Sequence, residues 1–326
     1  MLDLRVTLGS LTLTNPVLAA AGTFGYGLEF APAVRLERLG ALVTKTLTRQ
    51  PRDGNPPPRL VETPAGMLNS VGLSNVGLEP FLREKLQALR RIRVPVIVSV
   101  LGESPEELAG MVRQLDQADG AAAIEVNLSC PNFAKSQWPK AEGQRPEVGL
   151  RPPASGLRPV MVAQDADATF QMVSVACAQT RKPVIAKLTP DVTDLVPIAQ
   201  AAERAGAAAL TIGNTFAAMS IDPATRRSRL STLTGGLSGP AIRPLAVYRV
   251  WYTAQSVAIP VIGLGGIVRA EDAVEFFCAG ASAVAVGTAH FADPSAAVRV
   301  AEGLARYLRK HGMASVHDLR GAVNRG

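Results

Sequence analysis

Three stretches of the chain open with nearly the same phrase: Val94-Pro95-Val96-Ile97, Lys182-Pro183-Val184-Ile185 and Ile259-Pro260-Val261-Ile262. Four other apolar runs open instead just after a glycine, at Gly40-Ala41-Leu42, Gly120-Ala121-Ala122, Gly206-Ala207-Ala208 and Gly280-Ala281-Ser282. Proline is tolerated at the first residue of a strand, and glycine closes a preceding helix at its C-terminal cap. The two signatures alternate, so they mark odd and even members of one series. With a first apolar run near Val17, strands are expected to begin near Val17, Leu42, Val96, Ala123, Val184, Ala208, Val261 and Ala283. Stretches with helical spacing follow them: Glu29–Leu39, Leu78–Arg91, Pro105–Gln117, Ala166–Thr180, Leu195–Ala205, Ile242–Gln255, Ala270–Ala279 and Ser295–His311. Eight strand–helix units predict an α/β chain folded as a (β/α)8 TIM barrel, in which alternate strands supply alternate interior layers. Arg5–Leu8 and Leu11–Leu13 around Gly9-Ser10 predict an N-terminal β-hairpin at the barrel's N-terminal mouth. No linker interrupts the series, so residues 1–326 are read as a single domain.

Composition excludes several classes. An apolar fraction of 47% with a net charge of only +7 is unlike a disordered chain. The 34 basic residues are spread out, with no basic block interleaved with aromatics, so nucleic acid is not expected as a partner. No apolar run is long enough to cross a bilayer, and the N-terminus has no leader pattern, which makes a cytoplasmic protein the expectation. The 3 cysteines are too few for an iron–sulfur cluster, and no metal site is expected.

Barrel active sites form where strands end. Those positions are Ala21-Gly22, Lys45-Thr46, Ser99, Asn127, Lys187, Gly213-Asn214-Thr215, Gly265-Gly266 and Gly287-Thr288. Two lysines ending apolar strands, with an asparagine near them, need an anion or an acceptor to meet them. The glycines ending strands 7 and 8, with Gly239 opening helix 6, have the character of a phosphate cradle. Gly263-Leu264-Gly265-Gly266 lacks the third glycine of a dinucleotide motif, which favours a mononucleotide. Long connections at Leu47–Val76, Pro131–Gln164 and Thr215–Ser238 all follow strands and are expected as loops on the C-terminal face. Cys130, leaving strand 4 in Asn127-Leu128-Ser129-Cys130-Pro131-Asn132, stands in a polar loop, whereas Cys177 and Cys278 lie within helical patterns. A thiol so placed is a candidate nucleophile or proton acceptor. His290 is the one histidine near a strand end.

At this point the residues resemble a known family. The phrases Ala20-Ala21-Gly22-Thr23-Phe24-Gly25-Tyr26-Gly27, Thr44-Lys45-Thr46, Glu62-Thr63-Pro64-Ala65-Gly66-Met67-Leu68-Asn69-Ser70-Val71-Gly72-Leu73 and Asn127–Asn132 resemble class 1 dihydroorotate dehydrogenases nearly end to end, and the class 1B branch most. Ile212–Thr215, Gly235–Gly239, Gly265–Ile267 and Val286–Thr288 complete the resemblance. It implies oxidation of (S)-dihydroorotate to orotate in pyrimidine biosynthesis with FMN as cofactor and Cys130 as the general base. It implies substrate contacts from Lys45, Asn69, Ser70, Val71, Gly72, Leu73, Asn127, Asn214 and Thr215. For the flavin it implies Ala21, Lys45, Thr46, Ser99, Asn127, Lys187 and Gly213, with Gly239, Gly265, Gly266, Gly287 and Thr288 at the phosphate end. It also implies a homodimeric core and a second subunit carrying FAD and an iron–sulfur cluster.

One departure from the family pattern is a longer segment between Cys130 and Lys187, with the extra residues near 133–164. Two other readings compete. A dihydropyrimidine dehydrogenase-like flavoprotein shares the flavin fold and the cysteine, but Asn69–Leu73 and Asn132 favour dihydroorotate. A non-catalytic flavin-binding barrel has no need of Lys45, Asn127 and Cys130 together.

Overall fold

The computed structural model describes residues 2–129 and 161–323. Eight parallel strands close into a barrel: β1 Val17–Ala19, β2 Ala41–Val43, β3 Val96–Val100, β4 Ala121–Asn127, β5 Val184–Leu188, β6 Ala209–Ile212, β7 Val261–Leu264 and β8 Ala283–Val286. Each pairs with its neighbour in sequence, and β8 pairs with β1 to close the ring. The expected barrel is therefore the observed fold.

The proline signature has a direct structural cause. Pro95, Pro183 and Pro260 each precede a strand, where the missing N–H is not needed. Their carbonyls still accept from the strand alongside, from Leu42, Ile124 and Leu210 at 2.9, 3.0 and 2.9 Å. The glycines before strands β4, β6 and β8 sit at positive φ, as a helix end requires. Gly40 does not: it is glycine because the Asn15 carbonyl oxygen occupies the place of a Cβ.

Most crossovers are the expected helices, including Pro105–Gln117, capped by Ser104, and Ala166–Cys177, capped by Asp165. The first departs from expectation. Residues 29–39 form consecutive turns and a single 3-10 turn at Leu36–Arg38. Pro32 removes an N–H there, and glycines at 25 and 27 with positive φ precede it, so the apolar spacing never becomes a continuous helix. The segment beginning at Leu78 is helical but passes through a π-turn at Phe81–Lys85. The N-terminal hairpin, Val6–Leu8 with Leu11–Leu13, is present. Its turn lies against the start of strands β5 and β6: a Cβ on Gly9 would stand 2.7 Å from Ala208 Cβ and 3.5 Å from Pro183 Cβ.

Two of the expected loops are not irregular. Phe216–Ala218, Gly235–Ser238, Gly66–Asn69 and Leu60–Thr63 form a four-stranded antiparallel sheet in that order. These strands belong to the connections that follow β2 and β6, so the sheet stands over the C-terminal mouth of the barrel. The third expected loop, Pro131–Gln164, with its extra residues near 133–164, lies outside the described residues as far as 160 and ends in a helical turn at Val162–Gln164.

After β8 a short helix, Ala289–Ala292, carries His290 into the core. The ring is 2% exposed, packs on Phe24 with centroids 4.5 Å apart, and among the described residues neither nitrogen has a partner. Burial drives its pKa from 6.5 down to about 4, against the opposing pull of the Asp293 carboxylate. Between those pH values the unfolded chain binds a proton that the folded chain does not. Stability is therefore whole near neutrality and falls as pH drops from about 6.5 toward 4. The full effect is about 3 kcal/mol. Urea unfolding from pH 7 to 4 should show this loss, and His290→Phe should flatten it. An equally steep profile in the variant would assign the loss to other groups.

Candidate active site

A cavity of about 380 Å³ opens between the strand ends and the antiparallel sheet. Barrel closure aims the last inward side chains of adjacent strands at a common centre, so residues distant in sequence become neighbours here. Ala21, Lys45, Thr46, Asn127 and Lys187 line it from the strand ends, and Gly265, Gly266, Gly287 and Thr288 from the ends of β7 and β8. Asn69, Ser70, Val71, Gly72 and Leu73 line it from the sheet and the loop that follows, with Asn214, Thr215 and Gly239 alongside. Two expected positions do not reach it. Ser99 is fully buried below the floor, and Gly213 is packed against the Leu264 carbonyl. Cys130 lies outside the described residues; Ser129, the residue before it, lines the cavity.

The floor is a hydrogen-bonded array. Asn127 Nδ2 donates to Thr46 Oγ1 at 3.1 Å, and Asn127 Oδ1 accepts from the Ser129 N–H at 3.2 Å. Ser129 Oγ donates to the Lys187 carbonyl at 3.0 Å, tying the exit of β4 to β5. Lys187 is 5% exposed, and among the described residues its ammonium has no hydrogen-bond or ion-pair partner. Lys45 borders the same cavity. A cation held this deep costs free energy unless a negative group meets it, so two lysines make the cavity selective for anions.

The far end of the cavity is built from backbone. Gly265, Gly266 and Gly239 all hold positive φ, and a Cβ on Gly266 would meet the Gly239 carbonyl at 2.8 Å. At Gly287 a Cβ would meet nothing closer than 3.8 Å, so its absence keeps space open. Thr288 heads the short helix Ala289–Ala292. Amides exposed by glycine are suited to phosphate oxygens.

The loop over the cavity is held in a strained form. Leu73 has φ of 56°, a conformation that L side chains with a Cβ rarely adopt. Asn75, 7% exposed, holds it there. Its Nδ2 donates to the Leu73 carbonyl at 2.7 Å, while its Oδ1 accepts from the Gly77 and Thr48 amides at 2.8 and 3.2 Å. On the other side, Asn55 Nδ2 donates to Ser70 Oγ at 2.8 Å and Asn69 Nδ2 to the Gly236 carbonyl at 3.2 Å. Asn55, Asn75, Gly236 and Phe291 were not among the expected site residues. Asn55 and Asn75 flank a recognisable motif, but only the folded loop shows what they hold.

The model of the family described as dihydroorotate dehydrogenase matches residues 3–145 and 151–308. Similar curated proteins bear the name "Dihydroorotate dehydrogenase B (NAD(+)), catalytic subunit". That of Pelobacter propionicus is 47% identical over 321 residues, covering 98% of each chain. That of Desulforudis audaxviator is 50% identical over 320 residues, covering 98% of this chain and 97% of its own. That of Geobacter sulfurreducens is 46% identical over 321 residues, again covering 98% of both.

Asn75→Ala should cost about 3 kcal/mol, because it strands buried backbone groups on two sides of the loop. Hydrogen exchange at residues 70–77 should accelerate more than exchange in the barrel strands. Wild-type protection of that loop would show that Leu73 needs no such support.

Proposed function

The chain belongs to the dihydroorotate dehydrogenase family, and from that premise we propose that it oxidises (S)-dihydroorotate to orotate in pyrimidine biosynthesis, with FMN bound in the cavity at the barrel mouth. The observation that carries the reading is the cavity itself, where a buried ammonium without a partner among the described residues, a second lysine, four asparagines and a glycine cradle converge. Dihydroorotate is a small anion with a ring of N–H and C=O groups. Lys45 meets its charge, and the amides of Asn69, Asn127 and Asn214 offer both donors and acceptors to the ring.

The residues fit a flavin mononucleotide. Gly239, Gly265, Gly266, Gly287 and Thr288 would hold its phosphate through backbone amides. Ala21, Thr46, Asn127 and Lys187 would border the ring system, with Lys187 stabilising negative charge there. When bound, the flavin supplies the two-electron acceptor for the hydride leaving C6. Cys130, carried over from the family motif, takes the proton from C5, and the C5–C6 double bond of orotate forms. The loop Asn69–Leu73, pinned by Asn55 and Asn75, closes the substrate against this floor and excludes water.

The relatives are named as catalytic subunits, and the chain has too few cysteines for an iron–sulfur cluster and no dinucleotide motif. The electrons therefore pass to a second subunit, carrying FAD and an iron–sulfur cluster, and through it to NAD. Among the described residues no helix is long and apolar enough to cross a membrane.

The purified protein should be yellow and release FMN on heat denaturation, as read by chromatography; a predominance of FAD contradicts the mononucleotide fit. Cys130→Ala should retain the flavin and bind orotate, yet its flavin should be reduced by dihydroorotate roughly 10²–10⁴-fold more slowly in stopped flow. A wild-type rate in this variant would place the base elsewhere.

A further inference from the structure

Glu125 is a buried carboxylate that the chemistry above leaves without a task. It lies in β4 two residues before Asn127 and is 3% exposed. Residues two apart in a strand share a face, so Glu125 points into the barrel directly below Asn127. One of its oxygens accepts from Ser99 Oγ at 2.9 Å and the other from Thr211 Oγ1 at 3.3 Å. Glu125 and Lys187 also border one small void inside the barrel, beneath the cavity. A carboxylate buried this deeply in an apolar barrel is costly unless hydrogen bonds and an opposite charge compensate it.

The hydrogen bonds form a directed chain. A backbone N–H can only donate, so the Asn127 atom facing the Ser129 amide is the carbonyl oxygen, and the amide nitrogen is the atom facing Thr46. Thr46 Oγ1 therefore accepts from Asn127. Ser99 Oγ spends its hydrogen on Glu125, so the hydrogen between Thr46 and Ser99, whose oxygens are 3.0 Å apart, belongs to Thr46. Every donor in the sequence Asn127, Thr46, Ser99 points toward the carboxylate. The second N–H of Asn127 is left for the cavity.

We propose that Glu125 is a positioning residue. As terminal acceptor it draws the Ser99 and Thr46 hydrogens down the chain, so that Thr46 Oγ1 stays open to accept from Asn127 and reinforces the orientation the Ser129 amide gives it, with a donor left for the bound ring. This rests on the reading of the cavity as a flavin and dihydroorotate site. A negative group below the floor also opposes extra negative charge above it, so removing it should make the bound flavin easier to reduce.

The test uses the flavin-loaded protein and three measurements: orotate dissociation constant from the flavin absorbance change, flavin midpoint potential, and thermal unfolding. Glu125→Gln keeps the shape of the side chain and removes its charge. It should weaken orotate binding about tenfold, the worth of one well-placed hydrogen bond, and move the potential positive. A tenfold shift in the two-electron equilibrium corresponds to about 30 mV. Ser99→Ala cuts the chain but leaves the charge, so it should weaken orotate binding comparably while the potential stays at the wild-type value.

Loss of thermal stability alone in Glu125→Gln, with affinity and potential unchanged, is what a packing role gives and overturns the proposal. Wild-type orotate affinity in Ser99→Ala overturns the orienting chain, and that variant decides the matter if Glu125→Gln does not fold. A wild-type protein that holds no flavin, or whose flavin dihydroorotate does not reduce, overturns the proposed function instead, and shows itself before any variant is made.

Discussion

Closure of eight parallel strands is the constraint on which the rest depends. Once β8 pairs with β1, every strand is buried on both faces and has no free edge. Inward side chains must then fill the interior or meet one another at an end. In the lower barrel they are apolar, as with Ile97 of β3 and Ile185 of β5, both buried. Toward the C-terminal mouth they become polar, and Ser99, Glu125, Lys187 and Thr211 stand together where apolar packing would be more stable. Such a departure from efficient packing is expected where a chain gives up stability for a site.

The polar interior also shows how charge can be carried so deep. Glu125 is satisfied by two hydroxyls, while the Lys187 ammonium, partnerless among the described residues, faces the cavity. One charge has a protein donor on each oxygen and the other is left to be completed. The glycine ends of β7 and β8 follow the same logic with backbone: they expose amides and leave room. On the proposed reading, substrate and cofactor would be met by groups whose partners the fold withholds.

The barrel was legible because its signals are local. Proline or glycine before each strand, and helical spacing after it, can be read within a dozen residues. Strand-end reading then located Lys45, Thr46, Asn127, Lys187 and the glycine cradle, because closure brings those ends together whatever lies between. What was not legible depends on distant pairing. Gly236 meets Asn69 only because Gly235–Ser238 docks on Gly66–Asn69, and strands this short and rich in glycine carry little signal of their own. The first crossover misled because its apolar spacing is helical while Pro32 forbids the helix. Asn75 and Glu125 were invisible for another reason. Each acts through hydrogen bonds to residues on other segments, and no spacing in the sequence records those.

Anaerobic titration of the purified protein with (S)-dihydroorotate, followed by flavin absorbance, tests the central claim most directly. Bleaching that approaches completion near one equivalent per bound flavin, with orotate appearing in step, is the expected result. A flavin that dithionite bleaches but dihydroorotate leaves oxidised, in protein that is folded and fully loaded, would contradict it.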